Sequence, residues 1–555
     1  MTELSKRFDV IVVGSGASGS IAVKELTERG LEVLLLEAGR DITEGDFTPQ
    51  PEAPPSATGI ALWPRFKASV RGQPLQARRV FFRPQISPFL VNDKDNPYTS
   101  EADFFLWIRG RQLGGRLHAY GRVLLRKSQG EFKAASIDGY GEDWPISYSD
   151  VAPYYSRIEE FIGLYGTPEH LPNLPDGVYQ GPSKLTSAEA NFKAKVEGRW
   201  PERHVIPWRY AAPNLFRVPL GIRAARQTGR LTTRTDSIVR RIAVDPKTGR
   251  ADGAFFIDRR TKKEHRVYAN IVVLCASTIE SIRLLLNSAC VSHPNGLANS
   301  SGVLGRYFMD QTPGIVFGQD PTHAGSESDD SAPPDPFYSS AGGCYIPRFH
   351  NAGVTARDDF VRGYALQGTV GRIPVPDGEP AAVGLMTFGE MLPRALNQIT
   401  LDPRRRDGWG VPIPRIRVSL SGNERALLDA QVREVREMSE YCGYRVSFAG
   451  STLGLDSRKV LPNADPLSRL IFKAGFKKSL AIGGAVHECG GARMGSDPGT
   501  SVLNEHNQSW DVPNLFVTDA SCYVSSGVVG PTLTIMALTA RACEFIACEY
   551  ATGSI

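Results

Sequence analysis

Residues that could carry out chemistry lie close to the C-terminal end of the chain. His487 and Glu488 precede a turn that contains Gly490 and Gly491. An imidazole held beside such a turn can act as a general base and take a proton from a substrate hydroxyl. A histidine taken alone is more often a hydrogen-bonded structural residue. Its chemistry therefore depends on the elements that surround it.

A predicted helix begins beyond this histidine. The segment from Ser525 to Thr534 (SSGVVGPTLT) is typical of a helix start, with Pro531 near the first turn, and it follows a short predicted strand from Asn514 to Val517. The positive end of a helix dipole stabilises negative charge, such as the charge on the pyrimidine ring of a reduced flavin. The C-terminal region thus combines a candidate base with a candidate anion-stabilising helix.

The N-terminal segment has a nucleotide-binding pattern. Asp9 to Val13 predicts a strand buried on both faces, and Gly14, Gly16 and Gly19 follow with GxGxxG spacing before a predicted helix over residues 20–29. Gly14 permits the tight turn, Gly16 lets the backbone approach a pyrophosphate, and Gly19 allows close packing of helix and strand. The helix start can then receive the phosphate charge.

An acidic residue ends the second predicted strand. That strand runs from Leu31 to Leu36, and Glu37 follows it at once. A carboxylate at this point can accept hydrogen bonds from ribose hydroxyls, and it disfavours the 2′-phosphate of NADP. Strand, glycines, helix, strand and acid in this order predict a dinucleotide site, and a βαβ unit without a ligand is the alternative.

Two further turns are suited to the same ligand. Arg109 to Arg126 (RGRQLGGRLHAYGRVLLR) alternates glycines with arginines, so its backbone can lie against a large flat ring while arginine offers charge to phosphate. An ordinary structural turn is the alternative there. After a strand predicted from Ile271 to Leu274, Cys275-Ala276-Ser277 forms a second strand–turn–helix unit that suits the edge of a nucleotide.

Composition and charge exclude several classes of protein. The chain has 555 residues, of which 41% are hydrophobic and 22% charged, as in a globular protein of two domains. A net charge of +5 is small for this length, so no nucleic-acid partner is expected. No apolar run is long enough to span a membrane and no signal peptide is evident, so we expect a cytoplasmic protein with no membrane partner. The eight cysteines have no CxxC pair, which argues against a metal site and favours reduced thiols.

Motifs over the whole chain resemble the glucose–methanol–choline (GMC) oxidoreductase family. They are GSGASG with Glu37, LGGRLHAYGR, HECGGARMG, NLFVTDAS and GPTLTIMALTARA, and they look most similar to the bacterial branch with pyranose oxidase-like and glycoside 3-oxidising enzymes. The resemblance implies FAD and an α/β fold. Its FAD-binding domain would be Rossmann-like, of the para-hydroxybenzoate hydroxylase-like type, with an interleaved substrate domain on a mostly antiparallel six-stranded sheet. We expect residues 1–140, 213–312 and 481–555 in the former, and 141–212 and 313–480 in the latter.

The resemblance also implies roles for individual residues. His487 matches the catalytic histidine that receives the hydroxyl proton while hydride passes to flavin N5. O2 or another acceptor would then reoxidise the flavin. The substrate class implied is an alcohol, in particular a sugar or glycoside. The predicted FAD contacts are Gly14, Gly16, Ser18, Gly19, Glu37, Ala38, Arg109, Gly114, Gly115, Ala276, Asp519, Ala520, Pro531 and Thr532.

Two positions depart from the family pattern. Gly530 stands where the most similar branch carries an Asn that partners the histidine, so either Glu488 or Ser526 replaces it or the alcohol chemistry is altered. His118 lies in the segment through which some relatives attach FAD, but Ala119 occupies the attachment position, which favours non-covalent FAD. A non-redox lyase or eliminase of the same family is therefore the alternative function. A catalytic subunit that passes electrons to a small partner is a third.

Variable loops set substrate specificity in this family. They are expected over residues 41–97 and 318–337. The second of these segments is polar and rich in proline, so it is either a mobile lid or a disordered segment.

Overall fold

The computed structural model describes residues 6–49, 62–80, 82–328, 331–338, 342–352, 357–456, 460–462 and 464–555. Two large sheets organise these residues, and strands of the two sheets alternate along the chain. No helix in these ranges is long and apolar enough to cross a membrane.

The first sheet carries the glycine pattern and is referred to as the parallel sheet. Its parallel strands are Leu231–Arg234, Val33–Leu36, Arg7–Val13, Glu264–Leu274 and Leu515–Val517, in that spatial order, and Ala251–Asp258 and Ser237–Val244 continue it antiparallel. The residues from Val10 to Val13 are all buried, because helices cover both faces of a parallel sheet. This confirms the predicted buried first strand.

The register brings three strands to an end at one edge of the parallel sheet. Val13 pairs with both Leu36 and Leu274, so the residues that follow these three strands lie side by side. Helix Ala17–Glu28 starts at this edge and packs against helices Leu220–Gln227 and Thr532–Thr552. Ligands of open α/β sheets bind at this carboxyl edge.

The second sheet, referred to as the antiparallel sheet, has seven strands where six were expected. They are Gly454–Leu455, Arg445–Ser451, Gln311–Ala324, Pro380–Glu390, Tyr364–Val370, Cys344–Ile346 and Ile206–Pro207, in spatial order. Every neighbouring pair is antiparallel, as predicted. The outermost strand on each edge is only two residues long, too short for a hydrophobic pattern to reveal. Helix Gly422–Tyr441 covers one face.

Smaller elements connect the two sheets. Strand Thr99–Ala102 pairs parallel with Pro412–Val418, which pairs antiparallel with Gln398–Arg406, and Leu164–Tyr165 pairs with Tyr210–Ala211. The remaining α-helices in the described ranges are Leu62–Val70, Gln129–Phe132, Ala134–Asp138, Tyr148–Ile162, Ser187–Arg199, Thr278–Asn287 and Pro466–Ser479. The domain bounds given above stay a prediction.

Both expected specificity loops contain regular structure. Residues 318–324 belong to strand Gln311–Ala324, so a lid or disordered segment over 318–337 is wrong for that part. The backbone hydrogen bonds of this strand to neighbouring strands on both sides hold it extended, although its last residues are polar. Residues 41–97 include helix Leu62–Val70, while 50–61 and 81 lie outside the described residues.

Candidate active site

A single long cleft follows the carboxyl edge of the parallel sheet. About 1870 Å³ of space, open to solvent, lies between the first glycine turn, the segment around Gly115, the turn after strand Glu264–Leu274 and the C-terminal segments. The cleft therefore joins the two glycine turns to the C-terminal segments along one continuous wall.

The three glycines of the first turn have different surroundings. Gly14 has φ +97°, and a Cβ there would lie 2.5 Å from the carbonyl oxygen of Cys275. A Cβ at Gly19 would lie 1.8 Å from the carbonyl oxygen of Gly14, whereas one at Gly16 would meet nothing within 4 Å. Gly14 and Gly19 are thus required by packing, while Gly16 leaves the space in front of the helix empty.

The start of helix Ala17–Glu28 is open toward this space. Gly16 precedes its first turn, and no side chain caps the free backbone N–H groups. A Cβ at Gly115 would lie 3.6 Å from the Cα of Gly16, so the two glycine turns face each other. Gly114, with φ +90°, donates its N–H to Ser15 Oγ at 2.9 Å and stands behind the cleft wall. Uncapped N–H groups at a helix start are suited to a phosphate.

Glu37 lies at the end of the second strand, as predicted. Its Oε2 accepts hydrogen bonds from the N–H of Ser15 at 3.1 Å and from Ser15 Oγ, and its Oε1 accepts one from the N–H of Gly39 at 2.7 Å. Burial raises the pKa of Glu37, against these hydrogen bonds. These hydrogen bonds tie the glycine turn to the end of the second strand, and both Glu37 and Ala38 line the cleft.

Asp519 forms a second buried acidic point on the cleft wall. It accepts hydrogen bonds from Ser281 Oγ and from the N–H of Ser521, the latter at 3.0 Å, and burial raises its pKa. Helix Thr532–Thr552 starts near it, and no side chain caps that start either. The other predicted contacts on this wall that line the cleft are Ala276, Ala520, Pro531 and Thr532.

Two predicted contacts also line the cleft but have their polar groups engaged within the protein. Ser18 Oγ lies 2.8 Å from Thr518 Oγ1. The Arg109 guanidinium stacks 3.7 Å from the centre of the Trp107 ring and lies 3.6 Å from Glu280. Burial lowers the pKa of Arg109 to about 10. Its contact with a phosphate stays a prediction, since its charge already has a partner.

His487 is held in one tautomer by a residue far away in the sequence. Its Nδ1 lies 2.6 Å from Gln311 Oε1, and Gln311 Nε2 donates to the carbonyl oxygens of Gly527 and Val529 at 2.8 and 3.0 Å. Because these two bonds fix which end of the amide faces the ring, Nδ1 must carry the proton. The Nε2 atom of His487 is therefore an acceptor, as a general base requires.

Burial also keeps this imidazole uncharged. It lowers the pKa of His487 to about 3, with a smaller contribution from the positive charge of Arg116. His487 lines the cleft, and the ring of Phe388 lies 5.3 Å from its own ring. The imidazole therefore stays neutral over the ordinary pH range, and its unprotonated Nε2 is available as a hydrogen-bond acceptor at the cleft wall.

Gly530 faces the accepting nitrogen directly. A Cβ at Gly530 would lie 3.6 Å from His487 Nε2, so the position predicted for a partner side chain is next to the base. Of the two proposed replacements, Ser526 is buried and bonded to Met391 and does not line the cleft. Glu488 does line it, but its Oε2 accepts a 2.6 Å hydrogen bond from Arg116.

Gln311 and its neighbour Asp310 are site residues that sequence analysis missed. Asp310 accepts the backbone N–H of His487 at 3.0 Å and that of Gly483 at 2.7 Å, which fixes the histidine segment. Burial, reinforced by the charge of Glu488, raises the pKa of Asp310 to about 7. The only sign of these residues in the sequence is that two polar side chains begin an otherwise apolar strand. Their contact with His487 could not be seen, because 176 residues separate Gln311 from His487.

His118 points away from the cleft. Its Nε2 lies 2.8 Å from the carbonyl oxygen of Leu113, and its ring packs against Phe47 and Phe89. Burial lowers the pKa of His118 to about 4. Ala119, which has no nucleophilic atom, lines the cleft instead. Non-covalent attachment of the cofactor stays a prediction that this arrangement favours.

Comparison with known proteins places this geometry in context. Residues 393–539 match the family model described as GMC oxidoreductase, and residues 12–47 match an NAD(P)-binding Rossmann-like domain. The chain is 29% identical to 2-methyl-1,2-propanediol dehydrogenase from Mycolicibacterium austroafricanum, over 98% of this chain and 96% of that one. It is 28% identical to C-glycoside 3-oxidase from Arthrobacter globiformis, over 57% of this chain and 53% of that one. Pyridoxine 4-oxidase from Mesorbium loti has the same fold, with a TM-score of 0.60 and 19% identity over 97% of this chain and 99% of that one.

Proposed function

We propose that this chain is a GMC oxidoreductase that oxidises an alcohol carbon of a sugar or a related small polyol, with FAD as cofactor. One observation supports the chemistry above all others. The Nε2 atom of a neutral histidine, held by Gln311, faces a cleft whose opposite end has the geometry of a dinucleotide site.

The residues of the cleft fit FAD. The uncapped start of helix Ala17–Glu28 would hold the pyrophosphate, since Gly16 leaves the approach open. The carboxylate of Glu37 would accept from the ribose, and the uncapped start of helix Thr532–Thr552 would face the flavin ring. When bound, FAD supplies the acceptor for the hydride that leaves the alcohol carbon.

His487 does the acid–base part of the reaction in this proposal. Its Nε2 takes the proton of the substrate hydroxyl, while Nδ1 keeps its own proton and donates it in a hydrogen bond to Gln311 Oε1. The charge that develops on the ring faces the carbonyl oxygen of Gln311, which stabilises it. Asp310 keeps the backbone of His487 in place through this change.

A small substrate with neighbouring hydroxyls suits the space opposite this base. Gly530 adds no side chain of its own beside His487 Nε2, which favours the approach of a branched or cyclic alcohol. The relatives named above act, by their names, on a diol and on a glycoside. Both are named as a dehydrogenase or an oxidase, which supports oxidation rather than a lyase reaction. The electron acceptor, O2 or another compound, is left to experiment.

Anaerobic titration of the purified flavoprotein tests the proposal. Diols, free sugars, glycosides and simple monoalcohols are added in turn while the flavin absorbance is followed. We expect one of the first three classes to bleach the flavin, and readmitted air then distinguishes an oxidase from a dehydrogenase. Product formation without bleaching, or bound flavin that no alcohol reduces, would contradict alcohol oxidation. The His487→Ala variant, with its flavin retained, is the matched control.

A further inference from the structure

Exposed apolar side chains concentrate on two helices outside the cleft. On helix Leu62–Val70, Trp63, Phe66 and Val70 are 63%, 57% and 69% exposed. On helix Pro466–Ser479, Leu467, Leu470 and Ile471 are 65%, 65% and 43% exposed. Their spacings of three, four and seven residues place each set on one face of its helix. We call these six residues the apolar patch.

The two helices are neighbours in the fold. Ala68 of the first packs with Ala77 and Phe82, while Phe476 of the second belongs to a cluster against which Val80 packs. Both helices also contact residues Gln76–Arg78, so they pack on the same short stretch of chain. Arg79, the next residue, lines the cleft, and this stretch therefore connects the two helices to the wall of the candidate active site.

The charged side chains within the two helices of the apolar patch are all positive, and one acidic residue, Asp465, precedes the second helix. Residues 62–71 and 466–479 contain no aspartate or glutamate. Five exposed cations in these segments have no carboxylate partner among the described residues, and they are Lys67, Arg71, Lys473, Lys477 and Lys478. The ammonium of Lys67 lies 5.2 Å from the centre of the Trp63 ring, and the rings of Trp63 and Phe66 stack at 5.6 Å.

We propose that this face binds the surface of a membrane rich in anionic lipid. Trp, Phe and Leu on one face of a helix with lysines beside them are the features of helices that lie in the membrane interface. The apolar side chains would enter the boundary of the acyl chains, and the lysines would contact lipid phosphates. A second copy of the chain fits less well, because it would bring five unpaired cations against five more.

This mode of binding needs no spanning segment. The two helices contain 9 and 14 residues, and each has polar side chains that keep it at the surface. The expectation of a protein without a membrane partner rested on the absence of a long apolar run and of an evident signal peptide. A search for long apolar runs does not detect short amphipathic helices. The structure is needed to show that their apolar side chains are exposed.

Flotation of the FAD-loaded enzyme with lipid vesicles tests the proposal. Neutral phosphatidylcholine vesicles are compared with vesicles that also contain phosphatidylglycerol, at low and at high salt. We expect binding to the anionic vesicles to exceed binding to the neutral ones by roughly tenfold or more and to weaken at high salt. Equal binding to both vesicles, or no binding to either, would overturn the proposal.

Two sets of variants separate the contribution of the apolar side chains from that of the lysines. Leu467→Ser with Leu470→Ser, and Lys473→Gln with Lys477→Gln and Lys478→Gln, should each lower vesicle binding by roughly tenfold while flavin content stays unchanged. The matched control is Val291→Ser with Leu396→Ser, since these exposed residues, at 102% and 67%, lie outside the apolar patch. If the control variant loses as much vesicle binding as Leu467→Ser with Leu470→Ser, the apolar patch is not the membrane-binding site.

Sedimentation in the absence of lipid tests whether a second copy of the chain covers the apolar patch instead of a membrane. The enzyme should sediment identically with and without the Leu467→Ser and Leu470→Ser substitutions. A dimer that these substitutions dissociate would show that the apolar patch is an interface between copies of the chain, and it would overturn membrane binding.

Discussion

The two ends of the cleft are built in different ways. At the nucleotide end, Gly14, Gly16, Gly19 and Glu37 come from one βαβ unit and carry their spacing in the sequence. At the reaction end, His487, Gln311 and Gly530 come from three distant segments that meet only in the fold. Backbone geometry therefore determines the first end, whereas a hydrogen bond between a strand residue of the antiparallel sheet and a histidine outside both sheets determines the second. Substitutions should accordingly damage folding at one end and the reaction rate at the other.

The largest effect is expected at Gly19. In Gly19→Ala the new Cβ would lie 1.8 Å from the carbonyl oxygen of Gly14, and neither backbone segment can move away. We expect a loss of about 3 kcal/mol or more in the free energy of unfolding, together with loss of bound flavin. Thermal unfolding and the flavin absorbance of the purified protein measure both.

Gly16→Ala is the matched control, because its Cβ would meet nothing within 4 Å. Its unfolding should resemble that of the wild type, with only FAD affinity reduced. If Gly16→Ala unfolds as easily as Gly19→Ala, the division between packing and ligand approach at this turn is mistaken.

The next largest effect is expected at His487. His487→Ala should keep the fold and the flavin, and slow flavin reduction by about 10²–10⁴-fold, because the proton acceptor is gone. Stopped-flow reduction under anaerobic conditions measures this rate. An unchanged rate would remove His487 from the reaction and would place the chemistry elsewhere in the cleft.

Gln311 should have a smaller effect that changes with pH. Gln311→Leu frees the ring to adopt the other tautomer, so we expect reduction to slow by about 10–100-fold. In Gln311→Glu the carboxylate still accepts the Nδ1 proton, but its negative charge raises the pKa of His487 from about 3. Since only the neutral ring accepts a proton, the activity of Gln311→Glu should fall at a higher pH than that of the wild type.

The pH profile of flavin reduction measures this shift. Identical acid limbs in wild type and Gln311→Glu would mean that the charge at position 311 does not act on His487. Both variants lose the two hydrogen bonds from Gln311 Nε2, so the difference between them reports on the acceptor at Nδ1 and its charge.

The smallest effect is expected at Gly530. In Gly530→Ala the nearest atoms would lie 3.6 Å from the new Cβ, an ordinary contact, so unfolding should change by less than about 1 kcal/mol. Gly530→Asn adds an amide beside His487 Nε2 and should change the KM for the substrate more than the reduction rate. A collapse of the rate in Gly530→Ala would show that the free space itself is essential.

The nucleotide end could be predicted from the sequence because its rules are local. A strand, a glycine turn and an acid at fixed spacing define it, and Val13 and Leu36 end their strands where the pattern placed them. Asp310 and Gln311 could not be predicted, since nothing in the sequence says that the start of one strand lies against a histidine segment so far along the chain. The family resemblance identified Gly530 as the position of the histidine's partner, but only the fold showed how close it lies to His487 Nε2.

The two ends of the chain complete one core. Strand Leu515–Val517 is the last to join the parallel sheet, beside Glu264–Leu274, and helix Thr532–Thr552 packs against helix Ala17–Glu28. During synthesis the side of the first helix that contacts helix Thr532–Thr552 therefore stays uncovered until almost the whole chain has left the ribosome. Such distant pairing slows folding and exposes the nascent chain to aggregation. Assembly of this protein should for that reason depend on chaperones that shield its N-terminal segment until translation ends.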